Sequence, residues 1–482
     1  MIVTPATPMA LFAVPYATSV FSGTSNFPTC LTSNFYGIFG GQSVFKLTDP
    51  TCIDSQSLQY EGSAFLPLQG LGHQQLVWIQ ESAVDASLRT PDYEAEVEDF
   101  IRALRTGDTI LPSVSQTVLS AQDASGPVSL LYHNGNSGIV VVPSEGAAHA
   151  LSSFLPRFWK ASPIPSEPVS YLPVPQPAVD HVRGLLASLR FDPVVSSIVN
   201  GISVEQMRKD IRYLTGEDGV SGIMSRHSFS GDSRVAADWI KARFEETGAT
   251  CELRPFLAGF APNVVCKYKA TTDTSATVLI SGHYDSRGSF GSSRAPGGND
   301  DGTGTISIVG IARRIKHLGL TFRSNVELVA FAGEEQGLLG SKAYARELRA
   351  QGANVTVMIQ ADMLGYHAPG EPAQLGLPME IGTPEVTELV AKVAGIYSPE
   401  LTVGYTAACC SDHQSFHEQG YPATQVFERA GPIADPMYHN SGDLSDRLGY
   451  DLHQVKSISK VQFATLLHAA GFDLPEGDLL EF

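Results

Sequence analysis

The chain has 482 residues, long enough for roughly two or three domains, and 43% of them are hydrophobic, enough to build sizeable cores. Its formal charge of -18 argues against nucleic acid, whose phosphates need a basic surface. No run reaches the ~18 apolar residues of a membrane span. The mildly apolar residues 9–14 have no Lys or Arg before them and sit among prolines, so they read poorly as a cleavable leader.

Residues 1–160 read as a β-rich N-terminal domain, with short apolar stretches at 76–79 and 138–142 between Gly, Ser, Asn and Pro clusters. His133-Asn134-Gly135-Asn136 reads as a hairpin, because Asn-Gly accepts the positive φ of a type I′ turn. Val97, Phe100, Ile101 and Leu104 recur at helical spacing and predict a helix over 93–105. His73, His133 and His149 stand alone, without a catalytic constellation. Six prolines between 161 and 178 fix φ and remove donors, so this stretch is expected to be an extended tether and the domain boundary.

From 179 to 482 helices and strands alternate. Helices are expected over 179–189, 204–214, 234–247, 303–318, 338–351, 383–396, 412–419 and 451–470, and strands over 251–256, 263–268, 278–281, 326–331 and 355–360. This pattern predicts an α/β fold with a mostly parallel, mixed sheet flanked by helices. Ligands of such sheets sit beyond the carboxyl ends of the strands, and His283, Glu334 and Asp362 each follow a predicted strand. The six cysteines form three near pairs: Cys30 with Cys52, Cys251 with Cys266, and Cys409 beside Cys410. A hairpin of 251–256 with 263–268 would set Cys251 opposite Cys266. Paired cysteines and the sequon Asn354-Val355-Thr356 predict an oxidising compartment and secretion.

The chemistry-bearing residues concentrate between 278 and 366. His283 and Asp285 leave one strand, the second placed to orient the first as a metal ligand. Asp300 and Asp301 lie in a Gly-rich turn before a helix; adjacent buried acids repel unless a cation relieves them. Glu334 and Glu335 point differently from one tight turn, so that one can bind metal while the other faces a metal-activated water. Asp362 ends an apolar run with no cation nearby in sequence, which makes a metal its candidate partner. His439 is followed by Asp443, placed to orient it. Imidazoles with carboxylates suit zinc.

Taken together, Gly282-His283-Tyr284-Asp285-Ser286, Ala295-Pro296-Gly297-Gly298-Asn299-Asp300-Asp301-Gly302-Thr303-Gly304, residues 332–341 around Glu334-Glu335, and Ser411-Asp412-His413 resemble the dizinc aminopeptidases that include secreted bacterial and fungal leucine aminopeptidases. The resemblance runs from about 179 to 472 and implies a zinc exopeptidase fold with two Zn2+ per chain. It implies His283 and Asp362 on one zinc, Glu335 and His439 on the other, Asp300 bridging them, and Glu334 as general base and acid. Asp301 is then no ligand, and Asp285 keeps its orienting role. The implied substrates are peptides with a free N-terminus. Met363, Leu364, Phe427 and Tyr438 are candidate rim residues, with Met363, Phe427 and Tyr438 assigned to an apolar first residue. Some secreted relatives carry two cysteines a few residues apart beside Ser-Asp-His. Here Cys409 and Cys410 are adjacent, so a disulfide in that loop is either vicinal or absent.

Three alternatives stay open at this level. A glutaminyl cyclase would hold one zinc. A carboxypeptidase would need a cationic pocket, for which Arg287, Arg294 and Arg429 are near enough in sequence. A receptor-like protein would have lost ligands, whereas the full set is present here. The role of the N-terminal domain (prosegment, folding aid or lid) and the oligomeric state are undetermined.

Overall fold

The computed structural model describes residues 10–15, 29–47, 52, 63–68, 74–107, 110–111, 126–289, 292–408 and 410–475. The central element is a six-stranded mixed sheet. Its strands are β1 (Thr250–Arg254), β2 (Asn263–Tyr268), β3 (Ala276–His283), β4 (Asn325–Phe331), β5 (Asn354–Ala361) and β6 (Ala423–Val426), in the spatial order β1-β2-β4-β3-β5-β6. β4, β3, β5 and β6 run parallel, and β1 and β2 form an antiparallel edge. Helices α1 (Gly302–Leu318), α2 (Leu339–Ala350), α3 (His413–Glu418) and α4 (Leu452–Ala470) cover the sheet.

The interior strands read as nearly unbroken apolar runs because both faces are buried. Alternation divides their side chains between two cores. Val278, Ile280, Leu328, Val357 and Ile359 join the core that contains α1 and α4. Leu279, Val329, Phe331 and Met358 join the one beneath α2 and α3. Cys251 pairs with Cys266 across the β1–β2 ladder and is disulfide-bonded to it at a Cα separation of 4.1 Å. Cys30 and Cys52 form a second disulfide. Cys410 is disulfide-bonded, and Cys409 lies outside the described residues.

The N-terminal part contains two four-stranded sheets. Residues 9–14, weighed above as a leader, overlap the buried strand Ala10–Pro15, which pairs with Gln42–Leu47 and Ala64–Pro67. The second sheet orders Trp159–Pro163, Gln75–Glu81, Ser137–Val142 and Ser129–Asn134, and the expected Asn-Gly hairpin joins the last two. The expected helix spans Pro91–Thr106. His73 lies outside the described residues.

The proline-rich stretch is extended but is not a free tether. Its first residues pair with Gln75–Glu81, and Val169 and Leu172 donate backbone hydrogen bonds to Phe35 and Glu418. Its last residues open the helix Gln176–Ser188. Proline removes donors only at its own positions, which leaves the residues between free to pair. Among the described residues no helix is long and apolar enough to cross a membrane.

Candidate active site

The parallel strands deliver the site. His283 ends β3, Glu334 and Glu335 follow β4 by a short turn, and Asp362 follows β5 directly. Asp300 and Asp301 precede α1, with Asp301 as its N-cap, accepting from the Gly304 amide at 2.8 Å. The Asp300–Asp301 peptide is cis. Helix α1 reaches the strand ends because two glycines allow it. A Cβ on Gly304 would lie 2.3 Å from the Ala361 carbonyl oxygen, and one on Gly282 would lie 2.7 Å from the Gly304 carbonyl carbon. His439 comes from the loop between β6 and α4. Met363 (φ 50°) and His439 (φ 52°) take left-handed backbone, uncommon for residues with a Cβ and concentrated at functional sites.

These side chains converge although the sequence separates them by up to 156 positions (439 − 283). Two groups of potential ligand atoms form: His283, Glu334 and Asp362, and Asp300, Glu335 and His439. Asp300 joins the groups. Its Oδ1 lies 3.3 Å from His283 Nε2 and its Oδ2 lies 3.3 Å from His439 Nε2. His283 Nε2 is 3.8 Å from Asp362 Oδ1, and His439 Nε2 is 3.0 Å from Glu335 Oε2. Two donors each ~2.0 Å from one tetrahedral zinc stand about 3.3 Å apart, so these separations suit shared cations.

All six residues are buried, yet His283 Nε2, Asp300 Oδ2, Glu334 Oε2, both Glu335 oxygens and His439 Nε2 have no hydrogen-bond partner among the described residues. Leaving such groups unpaired is costly, and a pair of cations would satisfy them together. Burial pushes the Glu334 carboxyl well above the usual range, with Lys160 and His283 opposing and Glu335 and Asp362 reinforcing the shift. Burial alone would raise Asp300 as well, but the adjacent His283 and His439 imidazoles outweigh it and hold Asp300 well below that range.

The surrounding residues aim this set. His283 Nδ1 faces the Asp285 carbonyl at 3.1 Å, which leaves Nε2 directed at the carboxylates. The Asp285 carboxylate accepts from Ser228 Oγ at 2.9 Å and from the Glu334 and Glu335 amides at 3.3 Å, so it braces the turn as well as the histidine. Asp301 accepts from the His283, Gly304 and Met363 amides, which ties together the ends of β3, α1 and β5. Asp443, expected beside the His439 ring, is found elsewhere. It accepts from the Asn299 and Asp300 amides at 2.9–3.0 Å and so cradles the residue that joins the two groups. The turn after His439 carries Asp443 toward α1, and His439 Nδ1 instead faces the Arg157 carbonyl at 3.2 Å.

Arg157 belongs to a wall that sequence motifs did not reveal. Lys160, on the N-terminal strand Trp159–Pro163, places Nζ 3.4 Å from Glu334 Oε1. The Arg287 guanidinium binds the carbonyls of Leu155, Pro156 and Trp159 and lies 3.1 Å from His439 Nδ1. A cavity of about 420 Å³ opens beside Asp300 and Asp362. Met363, Phe427 and Tyr438 line it from the side of the central sheet, and Gln80, Ser82 and Lys160 from the N-terminal side. Nothing local marks Lys160, which reaches the site through long-range strand pairing.

The sequence profile of peptidase family M28 matches residues 263–464. A probable leucine aminopeptidase of Arthroderma otae is 32% identical over 275 residues, covering 54% of this chain and 72% of that relative. The chain belongs to peptidase family M28. Leucine aminopeptidase 1 of Sclerotinia sclerotiorum is 29% identical over 278 residues, covering 53% of this chain and 68% of the relative. In fold, the LapA aminopeptidase of Legionella pneumophila is similar with a TM-score of 0.59 at 18% identity, covering 83% of this chain and 99% of that one. The M28 match contains every ligand candidate from His283 to His439, whereas Arg157 and Lys160 lie outside it.

Proposed function

We propose that this M28 peptidase is a dizinc aminopeptidase that removes the first residue from peptides with a free N-terminus. The observation that carries this reading is Asp300, with one oxygen beside each of two histidines that belong to separate ligand groups. In it, His283 and Asp362 would hold one zinc and Glu335 and His439 the other, with Asp300 shared between them. Zinc bound there would acidify water and polarise the substrate carbonyl. Glu334 is the general base and acid: it takes a proton from the attacking water and returns it to the departing amine. Its partnerless Oε2 supports that role, being a buried acceptor free to meet the water.

Met363, Phe427 and Tyr438 are the proposed contacts for an apolar first side chain, together with Ala408 and Ile433 in the same cavity. The cationic pocket of a carboxypeptidase finds little support. Arg287 is committed to main-chain carbonyls, and Arg429 is paired with Glu371 and Asp85. The disulfides suit an oxidising, extracellular setting.

Leucine p-nitroanilide and its N-acetylated form test the reading together with metal analysis. Hydrolysis of the free amine only, with two zinc ions per chain, is expected; hydrolysis of the blocked form would refute it. A chain holding one zinc would point to the cyclase alternative. Glu334→Gln should lower kcat by ~10²–10⁴-fold, the scale of general acid–base catalysis, with zinc content unchanged.

A further inference from the structure

Lys160 comes from outside the peptidase sheet. It lies in the strand Trp159–Pro163, opposite Gln80 of the neighbouring strand. Trp159 and Ala161 are buried in the N-terminal core, so alternation turns Lys160 to the opposite face, toward the site. The strand is held in place from both sides. Arg287 grips the carbonyls of Leu155, Pro156 and Trp159, Arg157 Nε donates to the Tyr438 carbonyl at 3.0 Å, and His439 Nδ1 faces the Arg157 carbonyl. The core behind it is continuous, with Met363, Phe427, Ile433 and Tyr438 packing among Val77, Ile79, Phe158 and Trp159. Such a surface is built to remain in contact, since separation would expose large apolar side chains from both parts.

At the end of this support, Lys160 Nζ meets Glu334 Oε1 at 3.4 Å, while Glu334 Oε2 has no partner among the described residues. The two oxygens of one carboxylate are therefore distinguished: one is anchored by the lysine and the other is not. We propose that Lys160 is a positioning residue for Glu334, so that the N-terminal region is a working part of the catalytic centre. The inference rests on the reading of Glu334 as general base. A charged anchor fixes the rotamer of a side chain that must meet both the water and the leaving amine, and small displacements of such groups cost rate steeply.

The test uses the full-length, zinc-loaded protein and leucine p-nitroanilide. Lys160→Met should lower kcat by ~10–100-fold, the usual effect of removing a residue that orients a catalytic or ligating group. KM should stay within about twofold, zinc content should be unchanged, and Lys160→Arg should recover most of the rate. A crystal structure of Lys160→Met should show the Glu334 carboxylate turned from its place. Should the methionine variant not fold, Lys160→Gln, which keeps the length and loses the charge, is read by the same measures. An unchanged or raised kcat, loss of zinc along with the rate, an undisturbed Glu334, or an arginine variant no better than methionine would each overturn the inference. A raised kcat would identify the lysine as an inhibitory plug. Glu334→Ala separates the two proposals: if that variant keeps its activity, the general-base reading falls, whereas an inactive Glu334→Ala beside a fully active Lys160→Met refutes the lysine role alone.

Discussion

Two buried acidic clusters lie side by side in this molecule and are completed differently. In the first, Asn299 Nδ2 donates to Glu428 and Asp435, the Tyr366 amide donates to Glu428, and Arg447 spans Asp435 and Asp443 at 2.5–2.9 Å. Burial still pushes Asp443 up to about 7, with Asp435 adding to it and Arg447 opposing. Among the described residues, none of these side chains is left with a buried atom lacking a partner. In the second cluster, His283, Asp300, Glu334, Glu335 and His439 together leave six buried atoms without a partner among the described residues. The first cluster is completed by the protein's own atoms, and the second fits the pair of cations proposed above. The first also serves the second, since Asp443 holds the Asn299-Asp300 backbone that places Asp300 between the two groups.

Disrupting each cluster should therefore have opposite consequences. Asp435→Asn removes the main partner of a nearly buried guanidinium, and breaking a buried ion pair in this way costs ~3–5 kcal/mol. Urea denaturation of the zinc-free protein should show that loss. Glu335→Gln removes one of several crowded, unpaired carboxylates. The zinc-free protein should be no less stable for it, while zinc binding collapses in a metal titration. Equal destabilisation by both variants would mean that the second cluster is also completed from within. A smaller effect follows from linkage. At free zinc one hundredfold above its dissociation constant, the metal should add ~2.7 kcal/mol per site, so a chelator should lower the melting temperature of the wild type but not of Glu335→Gln.

The legibility of the molecule divides along similar lines. The central strands could be read because their apolar runs carry their own boundaries: the expectation of 263–268 coincides with Asn263–Tyr268, and that of 326–331 falls within Asn325–Phe331. The convergence of His283, Glu334, Glu335 and Asp362 was also foreseeable, since parallel strands place their carboxyl ends at one edge, whereas Asp300 and His439 join the expected set only through the family resemblance. What escaped depends on pairing between distant segments. The short strand Ala423–Val426 has little pattern of its own, and Lys160 is one strand residue among many until Trp159–Pro163 finds Gln75–Glu81. The helix Pro193–Asn200 is absent from the expected elements; Asp192 is its N-cap and Pro193 takes the first position, where its missing N–H costs nothing. Asp443 was assigned by nearness in sequence to His439, but a loop takes successive residues in different directions.

The comparison extends to histidines. His283 faces carboxylates: burial alone would lower its pKa, but Asp285, Asp300 and Asp362 outweigh it and raise the ring well above its ordinary range. His417 is buried in α3 beside Thr383 and Tyr171, and burial holds it down to about 4. Below its ordinary value near 6.5 the unfolded chain takes up a proton on His417 that the folded chain refuses until about pH 4. The unfolded state then binds more protons, so stability falls as pH drops through that window and is untouched above it. At 1.36 kcal/mol per pH unit, the loss from pH 6.5 to 5 is about 2 kcal/mol for this one residue. Urea denaturation at pH 7, 6 and 5 should show a shallower decline in His417→Gln than in the wild type. Identical slopes would mean that the ring already takes up its proton in the folded protein, and that burial alone does not keep the histidines of α3 apart from those of the site.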